Sequence, residues 1–367
     1  MLDLSDVPFV DAHMHPPLRT QPATLDAYRR PWYEGHDEDV ALVADLVPYR
    51  WGIRELAGWL GCADDETAVH AAVAGRDVST WLGELCARSR TTGLVLDTGY
   101  PLPPHGLSTD DVKAVGIDVA PLLRLELVAG DLLAEATSFA AFLEAFDARI
   151  GSARADGFQG LKTVVAYRTG LAVELVDAAT AEEAFLRNRG ATRIAEKALI
   201  DFLLVRSLEV ARRDELPVQL HAGYGDRDLD LRLVDPLWLR PLLESGQADG
   251  VPLVLLHGAW PWTRGAAYLA AVYPNVWLDV ATCIPPLGLQ ALLDTWRQAL
   301  AVAPLSRIQA SSDAAGLAEH VALGAERCRR SLGVAVGELV SSGELSPSAA
   351  EEAAEGIMGG NARALYW

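Results

Sequence analysis

The strongest local signal in the chain is Asp11-Ala12-His13-Met14-His15, which closes its first short apolar run. Side chains alternate along a strand, so His13 and His15 face one side and Met14 the other, and two imidazoles on one side can grip one cation. A lone HxH pair is only moderately specific, because incidental pairs occur nearly as often. The other apolar runs repeat the theme. His221 closes Val218-Gln219-Leu220, His257 closes Val254-Leu255-Leu256, and Asp313 follows Ala310-Ser311-Ser312. Four of the eight histidines fall at such places, and His36, His70, His105 and His320 sit in expected loops or helices, where solvated or packed roles are the default.

Lys162 lies inside the apolar run Gly160 to Val165. Burying a charged lysine is costly, and desolvation lowers its pKa from about 10.4 toward neutrality. Three readings stay open: a carbamate bridging two metal ions, an amine that binds a substrate oxyanion, or a salt bridge to Glu126.

Eight short apolar or β-branched runs must position these residues: Phe9 to His13, Gly93 to Asp97, Leu122 to Val128, Gly160 to Val165, Val218 to His221, Val254 to His257, Val276 to Val280 and Ile308 to Ser312. Between most of them lie stretches of helical period, among them Ser138 to Arg154, Arg193 to Arg213, Leu287 to Val302 and Glu319 to Leu332. The alternation implies a parallel α/β sheet, and the eightfold count favours a (β/α)8 TIM-type barrel. No GxGxxG follows the first run to argue for a dinucleotide fold. In such a barrel the C-terminal strand ends converge on one mouth, which would make neighbours of residues far apart in sequence. The expected domain is the whole of 1–367, with helical insertions after strands 1 and 4. The first insertion, 16–92, carries Trp32, Tyr33, Trp51, Trp59 and Trp81 and reads as a lid or as a packed unit with its own core; the second spans Thr169 to Pro217.

Half of the 367 residues are hydrophobic and the formal charge is −19, which suits a globular fold and repels nucleic acid and anionic membranes. The expected partner is a small-molecule substrate, and association into a homo-oligomer is left open. Cys62, Cys86, Cys283 and Cys328 form no CxxC pair, so neither a disulfide framework nor a thiolate metal site is expected. Met1 to Val10 shows no leader pattern and no run approaches membrane-spanning length, giving a cytoplasmic expectation.

Taken together, the HxH, His221, His257, Asp313 and the closing run Ile357 to Tyr366 resemble the amidohydrolase superfamily, particularly its amidohydrolase 2 branch. Gly160 to Leu171, His221 to Asp226 and Leu255 to Asp279 are similar to the amidohydrolase-like domain found ahead of glutamine-synthetase-like domains. The resemblance implies a metal-dependent hydrolase. His13, His15 and Asp313 would hold a divalent cation, zinc being expected, and His221 and His257 would hold or approach a second one bridged by carbamylated Lys162. Metal coordination lowers the pKa of water from 15.7 to about 7, so hydroxide becomes available. Asp313 would move the proton, and His257 would polarise the carbonyl. Arg168 offers a fork for a carboxylate or else a surface salt bridge, Tyr167, Trp260 and Trp262 would wall an apolar portion, and Asp97 and Glu126 would orient histidines. The expected reaction is cleavage of an amide (C–N) bond in a small carboxylate, of γ-glutamyl type. A decarboxylase, a sugar-acid isomerase or a non-catalytic binding protein on the same fold are the alternatives.

Overall fold

A computed structural model describes residues 1–102 and 104–367. Eight parallel strands follow one another around a single sheet in chain order: β1 (Phe9–Met14), β2 (Thr91–Asp97), β3 (Asp118–Arg124), β4 (Gly160–Thr163), β5 (Val218–Leu220), β6 (Leu253–Leu255), β7 (Val276–Ala281) and β8 (Ile308–Ser311). Helices lie between them, giving the (β/α)8 barrel. The seam between β8 and β1 is stitched just beyond the strand ends, where Asp313 N–H donates to the His13 carbonyl (3.0 Å) and His15 N–H to the Ala314 carbonyl (2.7 Å). Asp11 adds to it by accepting from the Ser312 N–H (2.8 Å) and hydroxyl.

The third strand departs from its expected place. It runs Asp118–Arg124, and Leu125–Glu135 is a helix. Leu125, Val128, Ala129 and Leu133 return at helical spacing and are buried together, whereas Leu94, Val95 and Leu96 of β2 pair with Val119, Ala120 and Pro121. Glu126 therefore rises from the first turn of a helix instead of a strand.

The first strand is not a simple alternation. Val10 and Ala12 pack inside the barrel with Ala120, Leu122 and Tyr366, while Phe9 and Met14 belong to the outer layers between wall and helices. A register irregularity between Asp11 and Met14 shifts the phase, so His13 joins Ala12 in facing inward.

Between β1 and β2 run the helices Leu25–Arg29, Val47–Leu60, Glu66–Val73 and Val78–Arg88, with shorter 3-10 turns. Trp32 and Trp81 are buried in a core of their own with Tyr28, Tyr49 and Leu82, seated on Met14, Leu94, Leu96 and Val321 of the barrel; Trp51 and Trp59 lie partly buried against it. Most of the aromatic residues of 16–92 thus serve packing. The second insertion holds the helices Ala178–Asn188 and Lys197–Arg213. No helix among the described residues is long and apolar enough to cross a membrane.

Candidate metal centre

His13, His15 and Asp313 meet at the barrel seam. Asp313 Oδ1 lies 3.3 Å from His13 Nε2 and 3.6 Å from His15 Nε2, and one donor atom from each of the three residues falls within 4.8 Å of the others. The backbone bond from Asp313 to the His13 carbonyl fixes this approach. Asp313 holds a left-handed conformation (φ 50°), which an aspartate tolerates better than most residues and which turns its carboxyl into the mouth. Burial keeps the His13 imidazole well below its ordinary pKa, with Lys162 adding to the shift, and brings His15 down to about 4. Both rings are therefore neutral near pH 7 with lone pairs free to bind. Burial also pushes the Asp313 carboxyl well above its usual range, opposed by Lys162. A cation would reverse that shift by favouring the carboxylate. Two neutral imidazoles and a carboxylate form a donor set suited to a divalent metal.

The opposite strands contribute a second group. His257 Nε2 lies 2.9 Å from His221 Nδ1, and His257 Nδ1 lies 3.2 Å from Asp313 Oδ2. Three successive left-handed residues, His257, Gly258 and Ala259 (φ 60°, 61° and 46°), bend the chain sharply just past β6. Such conformations cost on the order of 1–3 kcal/mol for a non-glycine residue and persist where surroundings enforce them, often at functional sites. His221 Nε2 is buried without a partner. Tyr167 lies against the His221 ring at 4.5 Å between centroids, and its hydroxyl accepts from the Asp226 N–H at 3.2 Å. Gly225 makes room for this, since a Cβ there would sit 2.3 Å from the Tyr167 hydroxyl.

Lys162 is 1% exposed, and Nζ lies 3.4 Å from His13 Nε2. Burial lowers its pKa to about 8, with Asp97 working the other way. The salt bridge to Glu126 does not form. Glu126 instead accepts from the Thr163 hydroxyl (2.5 Å) and the Val164 N–H (2.9 Å), so it braces the end of β4 and orients no histidine. Asp97 stands 3.9 Å from His15 Nδ1 and takes a two-pronged bond from Arg124, Nε at 3.2 Å and Nη2 at 2.6 Å. Burial opposes its charge, but Arg124, His15 and Lys162 hold the carboxylate well below the usual range. Gly99 permits this pair, because a Cβ there would come within 2.2 Å of Arg124 Nε.

The mouth opens into a cavity of about 420 Å³ whose lining includes His15, Lys162, Tyr167, Arg168, His221 and Asp313. Arg168 forms no ion pair among the described residues, and its Nε is buried without a partner, so the surface salt-bridge reading does not hold. Trp260 does not line the cavity. The left-handed bend carries it away, and its ring meets Tyr224 edge-on at 5.8 Å. Trp262 packs against the main core instead.

Among the charged residues that line the cavity, sequence reasoning missed five: Glu34, Arg124, Arg193, Asp226 and Asp228. Arg124 follows from the corrected end of β3. Glu34 comes from the 16–92 insertion, whose loop reaches the mouth, and no spacing in the sequence points to it.

The amidohydrolase family model matches residues 134–367. The chain belongs to the amidohydrolase family. The chain is 33% identical to protein fluG of Emericella nidulans over 251 residues, covering 64% of this chain and 29% of that protein, so it spans less than a third of that relative's length. A candidate metal-dependent hydrolase from Lactobacillus casei superposes with a TM-score of 0.89 at 29% identity, covering 100% of this chain and 98% of that one. A uronate isomerase from Thermotoga maritima shares the fold at a TM-score of 0.71 and 14% identity, over 99% and 95% of the two chains. The chain thus has the metal-dependent hydrolase fold of its family, with a His-His-Asp group as the candidate metal site.

Proposed function

We propose that this amidohydrolase hydrolyses the amide (C–N) bond of a small carboxylate-bearing substrate, using one divalent cation held by His13, His15 and Asp313. The observation that carries this reading is the convergence of those three donors, from opposite ends of the chain, within 4.8 Å, with His15 and Asp313 lining a cavity. Zinc fits two imidazoles and a carboxylate with a position left open. The cation, when bound, supplies Lewis-acid chemistry and lowers the pKa of water to about 7.

The remaining roles belong to the side chains. Asp313 Oδ2 takes the proton of the attacking water and passes it to the leaving nitrogen, and His257 Nδ1 at 3.2 Å accepts from that carboxyl while it carries the proton, its own N–H being at Nε2 toward His221 Nδ1. With its Nε2 turned to His221, His257 is a poor choice for polarising the carbonyl. We assign that role to His221, whose Nε2 has no protein partner. Lys162 stays an amine that binds a substrate oxygen. Arg168 takes the substrate carboxylate through its fork.

The test is product analysis in 18O-labelled water with a panel of carboxylate-bearing amides, γ-glutamyl amides first. Hydrolysis puts one labelled oxygen in the released acid and frees an amine. Release of carbon dioxide, or an isomer without label, would replace this reading with one of the non-hydrolytic chemistries.

A further inference from the structure

Four charged residues of the cavity form two like-charged pairs. Arg168 and Arg193 both line the cavity, and burial and then the charge of Arg193 push Arg168 below the usual arginine range. Arg193 has one carboxylate in reach, Asp228 at 3.8 Å. Glu34 and Asp226 line the same cavity, and burial and then the charge of Asp226 push the Glu34 carboxyl up to about 7. Arg30 offsets little of this, because its guanidinium already bonds Asp37 and the Tyr33 carbonyl. Holding like charges together in a partly buried pocket is unfavourable until groups of opposite sign join them.

One member of each pair is tied to the reacting centre through Tyr167. Arg168 follows it in the short helix Val165–Thr169, and Asp226 donates its N–H to the Tyr167 hydroxyl while the ring rests on His221. Beside them, His221 lines the same cavity with its Nε2 unpartnered, so a polar group of a ligand there can meet it.

We propose that the cavity selects a zwitterion: Arg168 and Arg193 receive a carboxylate, while Glu34 and Asp226 receive an ammonium group. The acyl part of the substrate is then an amino acid with its amine free, and a simple dicarboxylate is a poor ligand. Glu34 gives the 16–92 insertion a part in specificity. This rests on the hydrolase reading for where the substrate lies, and it is tested by binding so that the two can fail separately.

The experiment is calorimetric titration of the full chain with L-glutamate, L-phenylalanine and L-alanine, each beside its amine-free counterpart: glutarate, 3-phenylpropionate and propionate. At least one amino acid should bind about tenfold tighter than its counterpart, the scale of one charge-assisted hydrogen bond. Glu34→Gln, and independently Asp226→Asn, should bring that ratio close to one, whereas Arg168→Gln should weaken both members of the pair alike. Equal binding of amino acids and counterparts, saturable binding of none of them, or a ratio unmoved by both carboxylate changes overturns the proposal. Tight amino-acid binding with no amide cleaved sinks the hydrolase reading alone, and efficient cleavage of amine-free amides sinks this inference alone.

Discussion

The barrel mouth and the core of the 16–92 insertion both bury histidines whose ring nitrogens lack protein partners. At the mouth these include His13 Nδ1 and His221 Nε2; in the insertion core it is His320, with neither nitrogen bonded, its ring meeting Trp32 edge-on at 4.4 Å. Both places depress the imidazole pKa, but for different reasons. Burial acts first on His13, His221 and His257, and the charge of Lys162 and of neighbouring histidines adds to it. Burial acts on His320 with only a backbone contact from Ala315 against it, taking it to about 3. The mouth also brings Asp313 within 3.2–3.6 Å of three imidazoles and opens to a cavity. Buried, unpartnered nitrogen is therefore not what marks a site. Donors converging from several strands beside an opening do so.

The comparison breaks most visibly at Asp313. Asp313→Asn keeps the size and the backbone bond to His13 but removes the carboxylate, and kcat/KM should fall by about a thousandfold, a loss of roughly 4 kcal/mol in transition-state stabilisation. Circular dichroism should show the fold retained. A variant with full turnover would reduce the mouth to the standing of the insertion core.

A smaller effect separates one metal from two. Lys162→Ala should leave metal content, measured by plasma mass spectrometry, at about one equivalent, because the three donors at the seam do not include the lysine. Turnover should drop about a hundredfold through loss of an oxygen-binding cation. Two equivalents in the parent chain, falling to one in the variant, would instead establish the bridging carbamate and bring His221 and His257 into the ligand set.

Much of this geometry was legible in sequence because barrel strands end where their chemistry begins. HxH, His221, His257 and Asp313 each follow an apolar run, and those runs became β1, β5, β6 and β8. What escaped has physical reasons. Leu122 to Val128 is apolar enough to pass for a strand, yet its second half buries at helical spacing, and the error hid Arg124 and misplaced Glu126. Trp260 was expected at the cavity because it lies near His257, but three left-handed residues turn the chain before it arrives. Glu34 reaches the mouth from an insertion whose other aromatic neighbours are packing residues, so only the three-dimensional path could single it out.

The same contrast yields a pH prediction of smaller size at His320. Unfolded, this histidine takes up a proton near pH 6.5; folded, burial delays that until about pH 3. Its folded pKa is lowered, so between those values the unfolded chain binds more protons, and stability falls as pH falls through that window. The slope for one proton is about 1.4 kcal/mol per pH unit, so lowering the pH from 6.5 to 5 should cost about 2 kcal/mol that His320→Leu does not lose. Urea unfolding of parent and variant at both pH values isolates the difference, since other titrating groups are common to the two. Turnover near pH 7.5 should survive the change, because His320 reaches neither the cavity nor the seam. A stability difference independent of pH would mean that His320 accepts a proton while folded, and burial without a charged neighbour would then be insufficient to hold an imidazole neutral in this core.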